Sequence, residues 1–142
     1  MQLKMRPARK GLILVAANES QLEFLLSGLD EEQRRTLAGT WPGPNTWLVP
    51  HLGRIPSNVC GVHDKVEVRV SAHPGVRALC EAFGGPLVST SANRAGARPA
   101  LHAFQVRRYF GDGIDYVLPG RLGASVRPST IRDLSSGHIV RD

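Results

Sequence analysis

Apolar positions recur along this chain with two periods. Val66, Val68 and Val70 alternate with Glu67 and Arg69, as in a strand with one face buried. From Pro74 the period lengthens: Val76, Leu79, Cys80 and Phe83 fall at i, i+3, i+4 and i+7, one stripe of a helix. Pro74 can open that helix because its missing N–H would find no partner there, and Gly84-Gly85 stops it. A continuous run, Leu12–Ala17, reads as a buried strand over Leu12–Ala16. Ser20-Gln-Leu-Glu23 has the form of a capping box and predicts a helix start, and Asp30 is placed to cap a second helix over Glu31–Ala38. Past the breaks at Pro42-Gly43-Pro44, Thr46–Val49 resumes as a strand, with Trp41 packed on the core. Residues 51–64 read as a long loop and residues 86–90 as a strand. Leu101–Phe110 reads as a helix with Phe104, Tyr109 and Phe110 in the core, and Tyr116–Leu118 as a short strand. The tail 129–142 predicts two strands joined through Ser135-Ser136-Gly137, which must be antiparallel. With no internal repeat, low-complexity block or linker, the pattern is that of one α/β domain with a mixed sheet.

Composition changes this picture at two points. The 142 residues are 42% hydrophobic and 21% charged, ordinary for a globular domain, but the net charge is +6. That excess suits an anionic partner such as a nucleotide, nucleic acid or membrane surface, or serves solubility alone. The two cysteines, Cys60 and Cys80, form no CxxC or metal spacing, which favours a reduced, cytoplasmic protein with Cys80 in the core. The start "MQLKMRPARKGLILVAANES" has the outline of a secretory signal, yet its apolar run is short and flanked by Pro7 and Gly11, so a strand is the better reading. Nothing approaches a membrane span. There is no GxxxxGK[ST], GxGxxG, HExxH or GxSxG, and His51, His63, His73, His102 and His138 lack ligand spacing. No metal site and no familiar nucleophile is present.

What remains is cations and small polar groups near strand ends. In "PLVSTSANRAG" (86–96), Ser89, Thr90, Ser91 and Asn93 either bond their own turning backbone or form a polar cradle. Lys4 and Arg6, with Arg9 and Lys10 behind them, are either a solvated basic terminus or a grip for polyphosphate held extended by Pro7. Arg69 either pairs with a carboxylate on its sheet face or meets a ligand, and the same two readings apply to Arg132 and Arg141.

Five segments in order, "LKMRPARKGLILVAAN" (3–18), "TWPGPNTWLVP" (40–50), "VEVRVSAHP" (66–74), "PLVSTSANRAG" (86–96) and "RPSTIRDL" (127–134), together carry a likeness. The chain resembles the YrdC/TsaC family, the threonylcarbamoyl-AMP synthases, over essentially its whole length. The resemblance implies an α/β fold with a twisted open mixed sheet, flanking helices and a basic concave face. It implies a nucleotidyltransferase that makes threonylcarbamoyl-AMP and pyrophosphate from L-threonine, bicarbonate and ATP, for threonylcarbamoyladenosine modification of tRNA. Catalysis would rest on positioning and electrostatic stabilisation, with no acid–base residue assigned. By the matching motifs, Lys4, Arg6, Ser91, Asn93 and Arg141 would bind ATP, and Arg69, Ser89 and Ser129 would bind threonine. Mg2+ would accompany ATP, although no acidic cluster identifies a ligand. Partners would be tRNA or double-stranded RNA and the proteins of the tRNA threonylcarbamoyl-transferase complex, with no membrane.

The departures are specific. The family's N-terminal helix and strand, with a "PTET"-like segment ahead of "KxRP", are absent from residues 1–142, since Met1 lies three residues before Lys4. Lys65 stands where a small hydroxyl residue is usual, and Ala95 where a serine is common. Two other readings stay in view: a non-catalytic RNA- or nucleotide-binding module of the same fold, and a secreted basic protein.

Overall fold

A computed structural model describes residues 2–7, 10–120, 122–123 and 129–141. Arg9, Arg127 and Pro128, which the sequence places in or beside candidate segments, lie outside the described residues. In chain order the elements are β1 (Ile13–Ala16), α1 (Glu23–Leu26), α2 (Glu31–Ala38), β2 (Asn45–Pro50), α3 (Ser57–Cys60), β3 (Lys65–Val70), α4 (Pro74–Phe83), β4 (Leu87–Ser89), α5 (Ala103–Phe110), β5 (Thr130–Asp133) and β6 (Ile139–Arg141). The strands form one open sheet in the order β4-β1-β3-β2-β5-β6. β1 runs parallel to β3 and β2 parallel to β5, while the β1–β4, β2–β3 and β5–β6 pairs are antiparallel. The mixed sheet expected from the sequence is therefore present, closing hairpin included.

The alternation in β3 decides which face is core. Val66, Val68 and Val70 are buried among Leu14, Trp47, Val49 and the α1 and α2 leucines Leu25, Leu26 and Leu37. Trp41 joins this cluster, its indole N–H donating to the Asn45 carbonyl at 2.9 Å. α2 starts at Asp30 with the full reciprocal box: the Asp30 carboxylate accepts from the Gln33 amide, and the Gln33 side chain accepts from the Asp30 amide. On the opposite face a smaller cluster, Val15, Ala17 and Cys80 with Val76 and Leu87, seats α4 over β1 and β4. Both cysteines are buried and free.

Several local expectations are corrected. The helix foreseen at Ser20 is capped two residues earlier: the extended Asn18 accepts from the Gln21 amide at 3.2 Å, and a 3-10 turn over Glu19–Leu22 leads into α1. The Ser20 hydroxyl donates to Asn18 instead of capping. The loop 51–64 contains the short helix α3. No strand forms over Tyr116–Leu118, where both side chains are exposed. Leu79 and Phe83 of α4 and Phe104 of α5 are also exposed, because α4 meets the sheet only through Val76 and Cys80 and α5 buries Phe110. Among the described residues no helix is long and apolar enough to cross a membrane.

One ion pair ties the sheet together across β2. Lys65 Nζ lies 2.6 Å from an Asp133 carboxylate oxygen, the two side chains being 25% and 18% exposed. Burial pushes the Asp133 pKa up, but the Lys65 hydrogen bond and charge and the Ser135 and Ser136 amides outweigh it and hold the carboxyl below its usual 3.8. A depressed carboxylate pKa stabilises the fold above the unfolded value, and that stability is lost as pH falls through the folded value. Asp133→Asn should therefore cost about 1–2 kcal/mol near pH 7. In urea titrations the gap between the two proteins should narrow as pH drops below 3.8.

Candidate active site on the open face of the sheet

Side chains directly opposite one another on paired strands share a face. The register places Ser89, Ile13, Glu67, Leu48 and Asp133 in one row across five strands. The next row holds Leu87, Val15 and Arg69, with Ile131 and Arg141 paired at the far edge. This is the face opposite the main core. α4 covers its β1–β4 end, and the rest carries Glu67, Arg69, Lys65 and Arg141.

The N-terminal segment crosses toward the end of β4. Lys4 Nζ donates to the carbonyls of Ser91 and Asn93, the latter at 2.9 Å, and lies 5.8 Å from the centre of the Phe110 ring. The Lys4 carbonyl in turn accepts from the Ala95 amide at 2.8 Å. Burial, and then the neighbouring Arg6 charge, lower the Lys4 pKa. Lys4, Arg6, Lys10, Ser91 and Asn93 line a cavity of about 140 Å³. A second cavity of about 370 Å³ adjoins it through Arg6 and Lys10, and extends past Leu12, Leu48, His63 and Glu67.

The "STSAN" stretch is bonded partly within itself. The Asn93 amide N–H groups donate to the carbonyls of Arg94 at 3.0 Å and Ala97 at 2.8 Å, so the turn does bond its own backbone. Asn93 Oδ1, however, is buried and among the described residues has no partner. Nε of Arg6 and of Arg69 is likewise buried and unpartnered. Arg6 spends one N–H on the Gly11 carbonyl at 2.8 Å, and burial lowers the Arg69 pKa. Among the described residues neither arginine forms an ion pair. A guanidinium taken out of water and left without an anion costs free energy, so these groups mark places where a ligand would restore lost bonds.

The remaining sequence-selected residues are placed less tightly. Ser129 is buried, its hydroxyl 2.7 Å from that of Thr46, which leaves it a spare lone pair but a committed orientation. Arg141 is exposed and reaches the Ser129 carbonyl at 3.5 Å, a long contact. Ser89 ends β4 in the same row as Glu67, away from Arg141 at the other side of the sheet. Arg132 shares a row with Trp47 on the core side, its Nε buried and unpartnered among the described residues. Sequence reasoning passed over Thr46 and Glu67 as site residues. Glu67 carried a signal, its place on the polar side of the same strand as Arg69; Thr46 carried none.

The fold and these positions can be set beside known proteins. The family model Sua5_yciO_yrdC, described as telomere recombination, matches residues 1–142. A threonylcarbamoyl-AMP synthase of Chromohalobacter salexigens is 58% identical over 139 residues, spanning 98% of this chain and 75% of its own length. One from Pseudomonas aeruginosa is 55% identical over 141 residues, spanning 99% and 76%. The solved structure of P. abyssi Sua5 complexed with L-threonine superimposes with a TM-score of 0.87 at 32% identity, covering 95% of this chain and 40% of that one. Matched by the family model from end to end, and by relatives more than half identical over nearly all its length, the chain belongs to the Sua5/YciO/YrdC family.

Proposed function

We propose that this chain is a threonylcarbamoyl-AMP synthase, joining L-threonine and bicarbonate as a carbamate with loss of water and transferring AMP from ATP onto it with release of pyrophosphate. The observation that carries this reading is the set of buried, unpartnered groups, Arg6 Nε, Arg69 Nε and Asn93 Oδ1, on a face with two adjoining cavities. They call for a ligand with anionic and hydrogen-bonding parts at once. Arg69, partly buried and in no ion pair among the described residues, suits the threonine carboxylate, with the Ser89 and Ser129 hydroxyls as further contacts. Lys4 and Arg6, with Ser91 and Asn93 at the smaller cavity, suit the phosphates, and Arg141, whose charge reaches Glu67 at the larger cavity, would add to them. The larger cavity has room and apolar walls, Leu12 and Leu48, for a nucleobase.

The carbamate oxygen is already nucleophilic. The protein's task is then to align it with the α-phosphorus and to offset the charge that spreads over the phosphate oxygens. Magnesium would arrive on the triphosphate: among the described residues no group of three or more His, Cys, Asp or Glu could hold a metal ion, and Asp133 is committed to Lys65. Its chemistry there is to neutralise phosphate charge. The product would pass to the enzymes that modify tRNA. An RNA-binding module would have no need of buried, unpartnered guanidinium nitrogens on this face.

The test is pyrophosphate release with labelled threonine, run on these 142 residues and on a chain extended to the length of its relatives. Release that requires both threonine and bicarbonate in either form is the expected result. Release indifferent to both, or absent from both forms, sinks the reading.

A further inference from the structure

A carboxylate stands among the cations that the triphosphate would use. Glu67 is partly buried on β3, lines the larger cavity beside Arg6 and Lys10, and among the described residues forms no ion pair. Charged groups face it from nearly every neighbouring element. The N-terminal segment supplies Arg6 and Lys10, and the turn before β3 supplies His63. β3 itself carries Lys65 and Arg69 on the same face, and β6 supplies Arg141. Asp133 of β5 lies in the same row but is bound to Lys65. β1 and β2 present only Ile13 and Leu48 beside it. Burial raises the Glu67 pKa, and the fields of Arg141, Arg6 and His63 pull it back only in part. A polyphosphate seated on Arg6 and Arg141 would engage two of the cations that now stabilise this carboxylate. It would also set like charge against it.

We propose that Glu67 makes polyphosphate binding on this face cation-linked: its carboxylate takes up a proton, or meets a divalent cation carried by the phosphates, as the polyphosphate seats on Arg6 and Arg141. The inference rests on the reading of this face as the ATP site. Glu67 is thereby a specificity residue. It penalises metal-free polyphosphate and favours nucleotide that brings its own counter-charge, which neither Lys4 nor Arg6 can do.

The experiment is isothermal titration of the 142-residue chain and of Glu67→Gln with ATP and with pyrophosphate. It is run from pH 5.5 to 8.5, with and without Mg2+, in two buffers of different ionisation enthalpy. His63 is kept in both proteins, so only the difference between them is read. Metal-free ATP should bind Glu67→Gln about tenfold more tightly than wild type at pH 8. That gap should close toward pH 5.5. Buffer-dependent heat in wild type, lost in the variant, assigns the proton; a gap that closes on adding Mg2+ assigns the metal ion. Equal or weaker ATP binding by Glu67→Gln, at unchanged melting temperature, overturns the inference while the ATP site stands. The wholly apolar Glu67→Ala guards against a hydrogen-bonding role for the carboxamide, and it must also bind metal-free ATP more tightly than wild type. If ATP binds to none of the three proteins, the ATP reading fails and this one with it.

Discussion

Replacing Arg69 with methionine should weaken L-threonine binding by about 10²–10³-fold while leaving the melting temperature unchanged or raised. The two effects separate because Arg69 does nothing for the fold that methionine cannot do. Its stem packs on the open face beside Val15, its Nε is buried without a partner among the described residues, and burial lowers its pKa. In the free protein the guanidinium is therefore a cost, and an apolar side chain of similar length relieves it. With threonine bound, the same guanidinium faces a carboxylate it can hold by two parallel hydrogen bonds. Removing it leaves that carboxylate desolvated and unpaired. Titration calorimetry with threonine and a thermal melt on the same samples check both halves. Intact threonine affinity would move the carboxylate site elsewhere; a large drop in melting temperature would give Arg69 a structural role.

Lys4→Met should lower ATP affinity by about 10²-fold and loosen the segment around residues 91–97, whereas Arg6→Met should lower affinity without loosening it. Lys4 does two things at once. It holds the carbonyls of Ser91 and Asn93 in place, and it presents its charge to the smaller cavity. Arg6 shares that cavity but donates to the Gly11 carbonyl, not to a carbonyl of the cradle. Hydrogen exchange at the amides of Asn93 and Ala97, which bond within the segment, reads the loosening. Equal exchange in both variants would mean that the turn is self-sufficient, held by the Asn93 side chain alone.

The legible parts of this fold are those in which local chemistry and tertiary packing agree. The alternation over Val66, Val68 and Val70 became a half-buried strand, and Asp30 made its capping box with Gln33. The helix at Pro74 opened and closed where Pro and Gly-Gly required. Where they disagree, periodicity misled. Leu79 and Phe83 lie on the same stripe as Val76 and Cys80, yet only the latter two reach the sheet. Period records which side chains line up along an element; it says nothing about whether another element arrives to cover them. The site divides in the same way. The five ordered segments pointed to Lys4, Arg6, Arg69, Ser91 and Asn93 through a family likeness, but chain spacing alone could not join Lys4 to Ser91 across 87 positions.

The sequence by itself determined the class of fold, the face of β3 that would be core and the residues able to hold anions. Each of those follows from the type and spacing of side chains along one element. Only the tertiary structure decided which of the cations are left wanting. Lys65 finds Asp133 on a strand two places away in the sheet, while Arg69, two residues from Glu67 on the same face, forms no ion pair among the described residues. Pairing falls off within a few ångströms, and such distances are set by how strands pack and in what register, not by their order in the chain.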